Sequence, residues 1–171
     1  MEKFIKKGLV LALGILVATG LFAQEKPSPA KTTTAEVSGT TITVAYSSPG
    51  VKGRTIYGSL VPYGKVWRAG ANEATTIEMD KDLSIEGETL AAGKYALFAI
   101  PGEEEWTIIF NSVWDQWGAY NRDPSKDVLK VTVSPKASSE MYERLAYEVD
   151  GSTLSLIWEN TEVPIALATA E

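Results

Sequence analysis

The chain has neither cysteine nor histidine anywhere in its 171 residues. With no thiol there can be no disulfide, no lipid-modified N-terminal cysteine and no thiolate-bound zinc, so an exported domain of this sequence must be held by packing alone. With no imidazole there can be no Ser-His-Asp triad, no Cys-His nucleophile and no histidine-bound metal. Any chemistry must run on carboxylates, Tyr, Lys, Arg or an oxygen-bound hard cation. Basic residues are also in the minority, with 16 Lys and Arg against 22 Asp and Glu and a net charge of −6. Phosphate-rich partners need concentrated Lys and Arg, so neither nucleic acid nor an anionic membrane surface is an expected partner.

Long apolar runs are equally scarce. The one that exists, Leu9–Val17, follows Lys3, Lys6 and Lys7 and precedes the small residues around Ala18–Ala23. That order is the layout of a secretory signal peptide, and the run is too short for a comfortable membrane span. Cleavage is expected after Ala23, with Gly20 as a second candidate, and no membrane span should remain after it. Loss of Lys3, Lys6, Lys7 and Glu2 leaves 13 basic and 21 acidic residues, a net charge of −8. The expected location is the periplasm or the exterior. The expected layout is a signal peptide over 1–23, a flexible Pro-, Lys- and Thr-rich leader over 24–34, and a single domain over 35–171, long enough for a real core.

No segment carries a sustained helical stripe, and the apolar period is two throughout. Ile42, Val44 and Tyr46 alternate with Thr41, Thr43 and Ala45; Ile77, Met79, Leu83 and Ile85 continue the habit; Trp106, Ile108 and Phe110 oppose Thr107, Ile109 and Asn111; Leu154, Leu156 and Trp158 close the series. Ser138–Tyr147 is the best helical candidate, but its alternation and aromatic content favour a strand. Turn residues at Ser38-Gly39, Glu86-Gly87-Glu88, Ala92-Gly93, Pro101-Gly102 and Asp150-Gly151 fall where the strands must reverse. The fold class is therefore all-β, an antiparallel β-sandwich of about nine to eleven strands in one domain. Ser47–Leu60 and Ser112–Asp127 break the hairpin rhythm and read as long shaped loops, the usual carriers of function.

Candidate site residues cluster around Val61–Asn72, V-P-Y-G-K-V-W-R-A-G-A-N. It reads as a strand, so Trp67 and Arg68 should face opposite ways. An inward Arg68 needs a carboxylate or carbonyl, with Glu73 and the acids of the second loop within reach in sequence. It is either an anion clamp or half of a structural ion pair. Asn72 suits a ligand contact or an Asx-turn, and Glu73 is a candidate base without a visible partner. Trp114, Trp117, Tyr120 and Asn121 form an aromatic loop that either stacks on sugar faces or folds back over the sandwich end. Asp123–Asp127 lacks the spacing and glycine of a calcium loop, and no metal or cofactor is expected.

V-K-G-R at Val51–Arg54, the block Leu60–Thr75, A-G-K-Y-A-L-F-A-I-P at Ala92–Pro101, E-W-T-I-I-F-N at Glu105–Asn111 and Q-W-G-A-Y-N at Gln116–Asn121 together resemble the domain of unknown function 2911 family. These are exported proteins typical of the Bacteroidota and related bacteria, with no assigned activity. The resemblance runs from about Ala35 to Leu167. It implies an exported all-β domain, and marks Lys52, Gly53, Arg54, Trp67, Arg68, Gly70, Asn72, Trp117, Gly118 and Tyr120 as family hallmarks. One departure is Ser48, which stands where relatives carry Arg before the proline, and which would weaken an anion site that used that charge.

Three functions compete on this reading. A binding module would take a small molecule, a glycan or a carboxylate, at one end of the sandwich through Lys52, Arg54, Trp67, Arg68, Asn72, Glu73, Trp117, Tyr120 and Asn121. An envelope-associated structural module would use the same blocks only to encode the fold. A glycan hydrolase would need a carboxylate pair, Glu73 with Asp115 or Asp123. No catalytic residue is assigned, and the oligomeric state is open.

Overall fold

The computed structural model describes residues 27–170, so the expected signal peptide and its cleavage site lie outside the described residues. Ten antiparallel strands form two sheets. The first sheet holds six strands, β1 (Ala30–Val37), β2 (Thr40–Ser47), β3 (Thr75–Met79), β6 (Gly93–Ile100), β7 (Trp106–Asn111) and β8 (Asp127–Val133), in the order β1-β2-β3-β6-β7-β8. The second holds four, β4 (Leu83–Ile85), β5 (Glu88–Leu90), β9 (Lys136–Asp150) and β10 (Thr153–Thr169), in the order β5-β4-β10-β9. The all-β sandwich read from the alternation is what the chain forms. Ser138–Tyr147 lies within β9 and is strand throughout.

The reversals sit where turn chemistry puts them. Ser38 and Gly39 have φ of 54° and 76°, and Glu86 and Gly87 have 52° and 88°. Two successive positive φ values make the two-residue turn whose twist matches that of the flanking strands. β1 begins at Ala30, so residues 30–34, expected to belong to the leader, are instead paired with β2 residues 43–47. They escape an apolar reading because β1 is an edge strand whose first five residues are mostly exposed, with threonine supplying strand propensity in place of hydrophobic content.

The main core fills the space between the sheets. Ile42, Val44, Ile77, Leu97, Ile108 and Phe110 face Leu83, Leu145, Tyr147, Leu154, Leu156, Trp158, Val163 and Ile165 across it. A second, smaller core lies on the other face of the six-stranded sheet, where Ala74, Ala96, Phe98 and Ile109 pack with Val66, Ile100 and Ala119. The two long loops create this second layer. Residues 48–74 connect β2 to β3, and 112–126 connect β7 to β8. The segment holding Val66, Trp67 and Arg68 is not the strand that the sequence suggested. It makes one two-residue bridge, Trp67 with Ala99, through bonds of 2.7 and 2.9 Å.

Candidate functional site

That single bridge still imposes strand alternation on three residues. Val66 packs in the outer core, Trp67 packs against the main core, and Arg68 falls on the outer side against the aromatic loop. Trp67 is held by its neighbours: its indole N–H donates to the Gly70 carbonyl at 3.1 Å, and its ring lies 6.0 Å from that of Trp158, nearly parallel at 16°. Tyr57 and Trp106 complete the cluster edge-on, so four rings from both sheets and the first long loop lock together.

Beyond Trp67 the chain turns sharply. Ala69 and Asn72 both occupy the left-handed region, at φ of 50° and 57°. Asparagine tolerates that conformation, but alanine does so at a cost of about 1–2 kcal/mol. The bend is secured from three sides. The Ala69 carbonyl accepts from the Tyr147 hydroxyl at 2.8 Å and from the Thr75 hydroxyl at 3.0 Å, and the Asn72 amide donates to the Ser28 carbonyl at 3.3 Å. Gly70 is required by close approach: a β-carbon there would sit 2.8 Å from Thr75 Oγ1 and 3.1 Å from the Ser47 carbonyl oxygen.

A cleft of about 490 Å³ opens beside this bend. Its polar and charged lining comprises Ser28, Arg54, Lys65, Arg68, Asn72 and Tyr120, and its apolar walls include Pro49, Leu60, Val61, Pro62, Val66, Trp67, Ala119 and Trp158. Three cations line it and no Asp or Glu does, in a chain whose net charge is −6. Among the described residues none of the three forms a salt bridge. Arg54 is oriented by its own loop, donating to the carbonyls of Gly50 and Val51. Arg68 Nε is buried without a hydrogen-bond partner, and one of its terminal nitrogens rests against Gly118, where a β-carbon would come within 3.0 Å. The ion pair between Arg68 and Glu73 or a loop acid, expected of a structural keystone, is not formed among the described residues.

Of the residues singled out in the sequence, Arg54, Trp67, Arg68, Asn72 and Tyr120 meet at this cleft. Lys52 does not line it; it is exposed at a turn, with φ of 49°, and its backbone N–H donates to Glu143. Glu73 lines a separate groove of about 310 Å³ with Lys31, Lys94, Trp114, Asp115 and Gln116. Trp117 pairs its backbone with Glu73 and is 57 % exposed, and neither it nor Asn121 lines the cleft or that groove. Nor do the aromatic residues form one sugar platform, because Lys94 Nζ covers the Trp114 ring at 4.2 Å. The bend and the aromatic loop are joined by backbone, with the Ala74 N–H donating to the Gln116 carbonyl.

Of the acids weighed for hydrolysis, Glu73 and Asp115 share the groove of about 310 Å³, whereas Asp123 lies outside it. Asp123 caps the short 3-10 turn Pro124–Lys126, and its carboxylate is held below the usual range by the hydrogen bonds it accepts from Ser125. Asp127, at the start of β8, pairs with Arg122 and Lys130 and accepts from Asn111. Among the described residues no group of three acidic ligands could hold a metal. Nor, among the described residues, is any helix long and apolar enough to cross a membrane.

Residues 28–167 match the model of the family described as Protein of unknown function (DUF2911). The chain belongs to that family. No curated protein and no solved structure matches it. Within this DUF2911 domain, the W-R-A-G-A-N block is therefore the bend that floors a basic cleft. Ser48 is fully buried, and its hydroxyl donates to the Leu145 carbonyl at 2.7 Å. Lys65 and Trp158 escaped the sequence reading. Lys65 is given no role within the block, and Trp158 stands only in the alternation with Leu154 and Leu156. Lys65 could have been found by its place in the Val61–Asn72 block, three positions before Arg68, whereas Trp158 joins the cleft only through the fold.

Proposed function

We propose that this protein is an exported binding module whose basic cleft takes a small anionic ligand. The observation that carries this reading is the lining of Arg54, Lys65 and Arg68 without a compensating carboxylate. Three like charges converging on one cavity raise the free energy of the empty site, and an oxyanion relieves that repulsion while gaining charge-assisted hydrogen bonds. The cleft volume falls within the usual range for small-molecule sites, and its walls are mostly apolar around a few convergent polar groups. The strained bend at Ala69 and Asn72 is of the kind that persists where a fold positions functional groups. Export is supported by the basic, apolar and small-residue order of residues 1–23.

Thermal-shift and calorimetric screening against carboxylates, phosphate esters, acidic sugars and their neutral counterparts tests the reading. Anions should raise the melting temperature where neutral analogues do not, and Arg68→Ala should abolish the effect. A screen in which no anion binds, or in which binding survives Arg68→Ala unchanged, overturns it.

A further inference from the structure

We infer that the ligand of this cleft is an amphipathic carboxylate, with an acid head at Arg68, an oxygen received by Trp158, and an apolar body against the opposite wall; the inference rests on the anion-binding reading above. It starts from two donors the fold leaves without partners. Arg68 Nε is buried and unbonded, and Trp158, only 1 % exposed, has an indole N–H with no acceptor. Both residues line the same cleft, but neither nitrogen has accessible surface of its own, so a ligand oxygen reaches it only with a shift of the side chains. A buried donor without an acceptor is costly, so an acceptor-rich group is what this site lacks.

The balance of donors and acceptors selects the class of ligand. Arg54, Lys65, Arg68 and Trp158 can only donate, and side-chain acceptors in the lining are limited to Ser28, Asn72 and Tyr120. A sugar presents a hydroxyl donor for almost every oxygen and is matched by carboxylates and amides in its site. This cleft has no carboxylate, so a polyhydroxylated ligand would leave its own hydroxyls unpaired. A carboxylate carries acceptors alone. Its two coplanar oxygens match the guanidinium edge formed by Nε and an adjacent terminal nitrogen. That wall, with Leu60, Val61, Pro62, Val66 and Ala119, offers apolar surface to the remainder of the molecule.

The test is titration of the full mature chain with phenylacetate and hexanoate, set against glucuronate, hexyl phosphate and hexanol. Binding is measured by calorimetry and by the indole ¹⁵N–¹H resonances. Phenylacetate and hexanoate should bind, and should move one indole resonance that is absent from Trp158→Phe. That variant removes the indole N–H together with part of a buried ring, so its melting temperature is measured alongside, and in the folded protein it should weaken binding about three- to tenfold through loss of one hydrogen bond. Glucuronate binding in place of the two amphipathic acids overturns the inference while leaving an anion site. Tighter binding of hexyl phosphate than of hexanoate overturns the carboxylate assignment. An unmoved Trp158 resonance with unchanged affinity in Trp158→Phe removes the role given to that residue. Absence of any anion binding overturns both this inference and the reading beneath it.

Discussion

The Tyr147 hydroxyl donates to the Ala69 carbonyl at 2.8 Å across 78 positions of sequence. It ties the bend of the W-R-A-G-A-N block to the C-terminal part of β9, so the four-stranded sheet sets where Arg68 and Asn72 can stand. The same carbonyl also accepts from Thr75 at 3.0 Å. Two donors on one buried acceptor make a redundant anchor, and redundancy has a measurable signature. Tyr147→Phe and Thr75→Val should each cost about 1 kcal/mol, since one bond remains. Together they orphan the carbonyl and should cost about 1–3 kcal/mol beyond the sum. A double-mutant cycle by urea denaturation measures that excess, and simple additivity would show that the anchor is not shared.

Arg68 separates a structural role from a binding one. A buried arginine in a structural ion pair destabilises by about 3–5 kcal/mol when the pair is broken. Here no carboxylate among the described residues pairs with it, and its Nε is orphaned. Arg68→Ala should therefore leave stability within about 1 kcal/mol of wild type, or raise it, because a desolvated donor is removed. Denaturation midpoints decide the matter. A loss in the ion-pair range would return the residue to the role of keystone.

Gly118 holds the aromatic loop against Arg68. Its φ is 64°, and a β-carbon would sit 3.0 Å from Arg68 Nη1 and 3.4 Å from the Tyr120 ring. Gly118→Ala should cost about 1–2 kcal/mol through the left-handed backbone alone. It should also displace the guanidinium, so anion affinity falls together with stability. Gly151→Ala supplies the control: it sits at a φ of 57° with nothing within 4 Å, and should lose stability without touching binding.

Much of this architecture is legible in the sequence for a plain reason. Ile42, Val44, Ile77, Ile108, Phe110 and Leu156 each alternate with residues on the opposite face of their strand, and Gly39, Gly87 and Gly151 mark reversals that need positive φ. Both signals are local. β1 was harder because an edge strand with threonines buries too little to announce itself. The site was legible only where one contiguous block carries it. Trp67, Arg68 and Asn72 fall within six residues, and Arg54 and Tyr120 belong to loops already conspicuous for their composition. Lys65 stands in the same block, three positions before Arg68, whereas Trp158 looks like any core aromatic until the sandwich brings it to the cleft. Glu73 was misplaced for the converse reason: adjacency to Asn72 in sequence does not survive a bend that sends the two to different grooves.

Alkaline pH should destabilise the fold through two tyrosines. Burial raises the Tyr147 hydroxyl well above the ordinary tyrosine range, and burial, with Glu159 and Tyr63 nearby, does the same to Tyr57, whose hydroxyl has no partner. In the unfolded chain both ionise near the ordinary tyrosine value of 10.0. The unfolded state then binds fewer protons than the folded one, so stability is intact below pH 10 and falls above it, by about 1.4 kcal/mol per pH unit for each tyrosine. Tyr147→Phe should roughly halve the slope measured by denaturation between pH 10 and 11. A slope unchanged in that variant would mean that Tyr147 ionises without unfolding.

The Arg122–Asp127 pair closes the foot of the aromatic loop, and it responds to acid with the opposite sign. Both side chains are largely buried, at 10 % and 4 % exposure, and Asn111, itself fully buried, donates to Asp127 at 2.8 Å. Burial pushes the Asp127 carboxyl up, but the hydrogen bonds from Asn111, Arg122 and Lys130 outweigh it, and the group lies below the ordinary aspartate value of 3.8. Its stabilisation is therefore present above that value and is lost as pH falls through the folded one. Asp127→Ala should cost about 3–5 kcal/mol at neutral pH by leaving Arg122 buried and unpaired. Lys130 adds little, because its ammonium is half exposed. Replacing both partners, Arg122→Met with Asp127→Leu, should recover most of the loss, since well-packed apolar residues remove the stranded charge. If the double variant is as unstable as Asp127→Ala alone, Asp127 acts through Asn111 and the loop backbone, and the arginine is incidental to it.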